Sequence, residues 1–352
     1  MTLSRILLVL CFGLSAFLGT TAHADSRKSF NICWTIYAGW MPWEYAQTQG
    51  IVQKWAKKYG IQITLTQLND YIESINQYTA GQFDGCTMTN MDALTIPAVG
   101  GVDSTALIPG SYSNGNDGIV LKGRNKTLKD IKGLDVYLVQ FSVSHYLLAR
   151  ALETVGLSER DVKVVNTSDA DIVGAFGTQS VQAAVAWNPQ LSTMAASPEV
   201  SKVFDSSKVP GEILDLLVVN TATLKENPNL GKALVGAWFE VMALMKARNV
   251  AALSEMAKAA GTTLEGYQAQ LATTALFHEP EDALQLAEGP RLPDAMQRVA
   301  RFSFDKGLLG AGAPSAEVIG ISFPDGHIYG SARNIKLRFD ATYLRLAATG
   351  KL

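Results

Sequence analysis

The residues best suited to chemistry lie close together near the start of the chain. Residues 31–50 read NICWTIYAGWMPWEYAQTQG and carry Trp34, Tyr37, Trp40, Trp43 and Glu44. Aromatic faces around an acid are the material of a small-molecule pocket, which is mostly apolar with a few placed polar groups. Any one of the tryptophans could instead serve the core of a helix–sheet contact; all three doing so is not expected. Motifs for covalent or phosphate chemistry are missing: there is no G-x-x-x-x-G-K-[ST], G-x-S-x-G or H-E-x-x-H, and no G-x-G-x-x-G after a strand. Cys33 and Cys86, with His145, His278 and His327 at scattered spacing, give no zinc signature. The chain reads as a binder and not an enzyme, with no cofactor and no metal expected.

The elements that must position these residues can be followed in order. Ile32, Trp34 and Ile36 alternate as a short buried strand that runs into the aromatic turn, and a helix then reaches Gly50. In open α/β sheets ligands settle outside the carboxyl ends of the strands, where this turn would lie. Residues 61–68 alternate like a half-buried strand, 70–80 read as a helix, and 83–89 as a buried strand delivering Asn90 and Asp92, both natural N-caps. After a strand at 106–108, residues 109–118 form a polar, glycine-rich stretch that reads as a crossing between domains. Strands at 119–121, 135–139, 162–166 and 181–187 then alternate with helices at 127–131, 145–155 and 170–176. FDGCTMTNMD and VQAAVAWNPQ echo one another, each delivering an asparagine (Asn90 or Asn188) to a helix start. Residues 212–219 return as a strand, and beyond Asn227-Pro228 the chain reads as helical, at 230–247, 250–260, 264–274, 293–309 and 340–349.

Residues 1–24 hold Arg5, an apolar run and Ala22-His23-Ala24, the pattern of a secretory signal peptide cleaved after Ala24. The run is too short to span a bilayer, and no later segment reaches the ~20 apolar residues a span needs. Cys11 follows the bulky Leu10, so no lipid anchor is expected. A formal net charge of −2 argues against nucleic-acid or membrane-surface binding. The length suggests two domains or one large one. Export permits a disulfide between Cys33 and Cys86; their place in strand-like segments favours two buried thiols.

With the elements in this order, the sequence resembles the periplasmic solute-binding proteins of ABC transporters, of the nitrate/sulfonate/thiamine-precursor type. The resemblance rests on the aromatic opening and TAGQFDGCTMT, on TLKDIKGLDVYL followed by SHYLLARALETVGL, on KVVNTSDADIVGAFGTQSVQAAVAWNPQ, and on LLVVNTATLKENPNL. WTIYAGWMPWEYA is similar to members proposed for urea- or guanidine-type solutes. The resemblance implies an α/β, two-lobed periplasmic binding protein fold of type II-like topology, each lobe a mixed sheet flanked by helices. Residues 25–117 and 217–352 would form lobe 1, carrying a helical C-terminal tail, and 118–216 lobe 2, with crossings near 115–118 and 215–220. It also implies a periplasmic monomer that closes on its solute by a hinge motion and passes it to a membrane permease with its ATPase. The same fold family includes a self-sacrificing thiamine-pyrimidine synthase, but this chain lacks its cysteine-rich motif.

The resemblance places residues 34–45, 86–92, 112–118, 140–145, 186–190 and 212–215 along the cleft. These contain Glu44, Asp92, Asp117, Glu212 and Asp215 but no lysine or arginine. The expected ligand-binding set is Trp34, Tyr37, Trp40, Trp43, Glu44, Asn90, Asp92, Asp117, Ser142, His145, Trp187, Asn188 and Asp215. Acids with aromatic faces suit a planar cation, and the N–H fork of guanidinium matches a carboxylate in two-point contact. Urea would use the same acids with Asn90 and Asn188. Structural roles compete at each position: Glu44 as a solvated first-turn acid, Asn90 and Asp92 as caps, Asp117 in a turn, Asp215 in a crossing strand, His145 at a helix start. The alternative solute is an alkanesulfonate, nitrate or thiamine precursor. Although helix N-termini alone can hold anions, that reading looks for a basic group outside these segments, such as Arg124, Lys132 or Arg333.

Overall fold

Two mixed sheets organise the chain in the computed structural model, which describes residues 27–352; the segment expected to be a signal peptide lies outside the described residues. Strands β1 (Ser29–Thr35), β2 (Gln62–Leu68), β3 (Gly85–Thr89) and β4 (Ser104–Ser113) come first. Then follow β5 (Asp117–Lys122), β6 (Asp135–Leu138), β7 (Lys163–Asn166), β8 (Ala183–Trp187) and β9 (Val200–Asp205). The last are β10 (Leu214–Asn220), β11 (Thr274–Leu276), β12 (Gly320–Ser322), β13 (Ile328–Tyr329) and β14 (Ile335–Phe339). The first sheet runs β13-β12-β14-β4-β10-β3-β1-β2, with β11 also paired to β4, and the second runs β7-β6-β8-β5-β9. The chain leaves the first sheet after β4 and re-enters it as β10, antiparallel between β3 and β4.

Local chemistry explains the pieces that matter for the site. β3 (GCTMT) and β8 (AAVAW) are buried at every residue, so they read as continuous runs without alternation, as strands covered on both faces do. Gly85 must be glycine, because a Cβ there would lie 2.7 Å from the Val218 carbonyl oxygen. Asp70 caps the helix Tyr71–Thr79 by accepting from the Glu73 amide at 2.8 Å, and Ser142 caps the helix Val143–Thr154 through the Ser144 amide. The helix Pro228–Lys246 is buried along most of its length, and its Trp238 ring lies 4.9 Å from that of Trp43.

Three expectations change. Residues 109–113 are strand and not crossing: β4 runs through Pro109 to Ser113, and a register shift opposite Asp215 and Leu216 lets the ladder pass the missing N–H. Residues 214–220 form β10, in agreement with the returning strand read at 212–219. The C-terminal part is not wholly helical, because β11 to β14 extend the first sheet and the helix Pro280–Glu288 lies between them. Those strands are only two to five residues long, too short to declare a period. Lastly, Cys33 and Cys86 form a disulfide and are not free thiols. They are register partners on the parallel neighbours β1 and β3, a proximity that only strand order reveals.

Candidate ligand-binding site

The carboxyl ends of β1, β3 and β8 and the starts of β5 and β10 converge on a cavity between the two sheets. It is lined by Tyr37, Trp40, Tyr71, Thr89, Asp117, Val143, Trp187, Ile213 and Asp215. The cavity is small, about 20 Å³, on a scale where one water needs roughly 10–15 Å³. As it stands, that is room for one or two waters. Its rings form a continuous wall: Tyr37 lies edge-on to Trp40 at 5.0 Å, Trp40 is 5.9 Å from Tyr71, and Tyr71 meets Trp187 edge-on at 5.4 Å. Tyr71 belongs to the first-sheet side and Trp187 to the second, so this last pair crosses the interface.

Into this wall the chain sets carboxylates without a basic partner; no lysine, arginine or histidine lines the cavity. Asp215 Oδ2 accepts from Tyr37 Oη at 2.9 Å and from Ser111 Oγ. Burial, and then the nearby charge of Asp117, push its pKa up to about 8 against the opposing effect of those donors. Asp117 starts β5 opposite Trp187 on β8; burial pushes it up to about 7, with Ser113 opposing and Asp92 adding to the rise. Asp92 stands one step behind the wall, accepting from Tyr71 Oη at 2.6 Å and Thr89 Oγ1 at 2.7 Å. Burial lifts it to about 6, and its Oδ1 is buried without a hydrogen-bond partner among the described residues. Buried acids of this kind ionise readily only beside a positive charge. No group of acids, histidines and cysteines that could hold a metal ion occurs among the described residues.

Of the expected residues, Tyr37, Trp40, Asp117, Trp187 and Asp215 line the cavity, and Asp92 supports it through Tyr71 and Thr89. The others lie elsewhere. Trp34 is buried in the core of the first sheet, and Trp43 packs on Trp238. Glu44 lies in a surface depression with Thr48, Gln49 and Glu255, because the helix turns its Met41–Trp43–Ala46 face inward. Asn90 ties the start of its helix to β10, accepting from the Leu214 amide at 3.0 Å and donating to the Glu212 carbonyl at 3.1 Å. Ser142 is a cap. His145 accepts from the Phe141 amide and faces Glu159, and burial lowers its pKa to about 4. Asn188 caps its own turn through the Ser192 amide, and its carbonyl accepts from the Ala38 amide at 3.3 Å across the interface. Glu212 accepts from Tyr146, pairs with Arg150 and Arg298, and does not line the cavity.

Thr89, Val143 and Ile213 fall in segments expected along the cleft but were not named as ligand-binding residues, whereas Tyr71 lies outside those segments. Tyr71 follows a helix cap at the carboxyl end of β2, and the rule that marked the first aromatic turn applies to it equally. A wider, open groove outside the cavity, lined by Ile36, Asn69, Asp169, Gln190 and Gln270 among others, has no comparable set of acids and rings.

Residues 43–269 match the family described as NMT1/THI5 like, and the chain belongs to that family. The alkanesulfonate-binding protein SsuA of Xanthomonas axonopodis pv. citri, solved bound to MOPS, superposes with a TM-score of 0.68 at 16% identity, covering 82% of this chain and 96% of that one. The periplasmic aliphatic sulphonate binding protein SsuA of Escherichia coli gives 0.67 at 17% identity, covering 81% and 95%. The periplasmic nitrate-binding protein NrtA of Synechocystis PCC 6803 gives 0.58 at 11% identity, covering 91% and 98%. The fold is therefore the periplasmic binding protein fold. A Brucella abortus protein, named provisionally as a binding protein, is 28% identical over 102 residues, 29% of this chain. The match spans 31% of that relative's own length.

Proposed function

We propose that this protein is the periplasmic solute-binding component of an ABC importer. It captures a small planar nitrogenous solute of the guanidine or urea type between two lobes and passes it to a membrane permease with its ATPase. Residues 25–117 with 217–352 act as one lobe and 118–216 as the other, and the solute holds them together. Membership of the NMT1/THI5-like family and the binding-protein fold support the general role.

The observation that carries the solute class is the cavity itself: Asp117 and Asp215 among four aromatic rings, with no basic side chain in the lining. A guanidinium supplies the charge that lets both acids ionise, two-point N–H contacts for a carboxylate, and a flat face for Trp40 or Trp187. Urea fits less well. The asparagines expected to serve it, Asn90 and Asn188, do not line the cavity. The sulfonate or nitrate reading looks for a basic group, and the candidates named for it are placed elsewhere: Arg124 pairs with Glu199, Lys132 with Asp161, and Arg333 is exposed. Calorimetry of the purified protein with guanidinium, urea, taurine and nitrate tests the reading, and saturable binding of guanidinium alone is expected.

A further inference from the structure

Tyr71 touches the opposite side of the molecule in two ways. Its ring lines the cavity and meets Trp187 edge-on, and its hydroxyl donates to Asp92. Its backbone amide, the first of the helix Tyr71–Thr79, donates to Asp169 Oδ1 at 3.1 Å. Asp169 comes from the segment between β7 and the helix Ile172–Gly177, on the second-sheet side, and is 6% exposed.

First-turn amides have no partner within their own helix. Here the helix's own cap, Asp70, takes the Glu73 amide, which leaves the Tyr71 amide to an acceptor from across the interface. A carboxylate at this position is further favoured by the helix dipole. When the two sides part, the Tyr71 amide and Asp169 both return to water, so the bond is made in the closed arrangement alone. Other contacts also join the two sides: the Ala38 amide donates to the Asn188 carbonyl, Asn188 Nδ2 donates to Thr273 Oγ1, Lys306 pairs with Glu159 and Arg298 with Glu212. Among these contacts, the Asp169 side chain is the one that accepts from the amide of a cavity-lining residue, Tyr71.

We infer that Asp169 is a closure latch: a positioning residue that caps the Tyr71 helix from the opposite lobe and so holds Tyr71 and Trp187 together over the cavity. The inference rests on the two-lobe reading above but not on the identity of the solute. It extends to the ligand-free protein, where the latch maintains a closed population.

The experiment is a spin-label distance measurement on ligand-free protein carrying Lys57→Cys and Lys129→Cys, both at exposed positions, one on each side. Wild type, Asp169→Ala and Asp169→Asn are compared. Wild type shows a closed component. Asp169→Ala lowers the closed-to-open ratio by about ten- to a hundredfold, the range for losing a hydrogen bond to a charged group, with the melting temperature unchanged. Asp169→Asn retains an acceptor oxygen and restores most of the closed component. The inference is overturned by a wild type without a closed component or by an alanine variant that closes like wild type. It is equally overturned by an asparagine variant indistinguishable from alanine. Because no solute is present, failure of the guanidinium reading leaves this result intact.

Discussion

Asp215 at the start of β10 and Asp117 at the start of β5 come from different sheets and line the same cavity, and Asp117 raises the pKa of Asp215 beyond what burial alone does. Such a pair is poorly disposed to ionise together until a cation enters between them. Under the proposed function, the relationship would make the site selective for charge as well as shape.

Asp215→Asn keeps the side chain's outline but removes its charge. It should weaken guanidinium binding by about 1.5–3 kcal/mol, the worth of a charge-assisted hydrogen bond, and leave the ligand-free melting temperature unchanged or higher. Calorimetry and thermal melting read the two effects separately. A variant that melts lower and still binds normally would make Asp215 a structural residue.

Acids with raised pKa values hold protons in the folded state that the unfolded chain has already released. Ligand-free stability from Asp92, Asp117 and Asp215 is therefore complete below the ordinary carboxylate pKa of ~4 and declines as pH rises through about 6, 7 and 8. Binding of a cation runs the other way, tightening from pH 6 to 8 and releasing protons. Titrations near pH 7 in buffers of different ionisation enthalpy should give different apparent binding enthalpies; identical values would contradict the shared-proton picture.

Trp43 and Trp187 should separate packing from binding. Trp43→Ala removes a core contact with Trp238 and should cost about 3–5 kcal/mol of stability while the folded protein still binds. Trp187→Phe should weaken binding with a much smaller effect on melting. Glu44→Gln should change neither, and a binding defect there would show that the helix face has been misassigned.

Cys33 and Cys86 are 53 residues apart in sequence, and closing a loop of that size stabilises the folded state by about 4 kcal/mol in the chain-entropy account. The double variant Cys33→Ala, Cys86→Ala should lose stability of that order in denaturant titration. Unchanged stability in the variant would mean that the disulfide contributes nothing.

The legible parts of the sequence were those with a local signature. β3 and β8 announced themselves as runs of small buried residues, and Tyr37, Trp40, Asp117, Trp187 and Asp215 stood at strand ends or loops that converge on one cavity. What failed depended on which way a residue faced or which strand lay beside it. Glu44 and Trp43 are adjacent on one helix, and only packing against Trp238 decides that the tryptophan turns in and the acid out. The disulfide required knowing that β1 lies beside β3. Asp169 sits in a polar loop with no pattern, and its role depends on a helix nearly a hundred residues earlier in the chain.

The central claim is that the cavity takes a small planar cation. Thermal melting of the mature protein with guanidinium, urea, taurine and nitrate, each as a low-millimolar salt or solute, tests it most directly. A ligand at about a hundred times its dissociation constant adds ~2.7 kcal/mol to stability. The account predicts a rise in melting temperature with guanidinium, absent in Asp215→Asn. A rise with taurine or nitrate and none with guanidinium would contradict it.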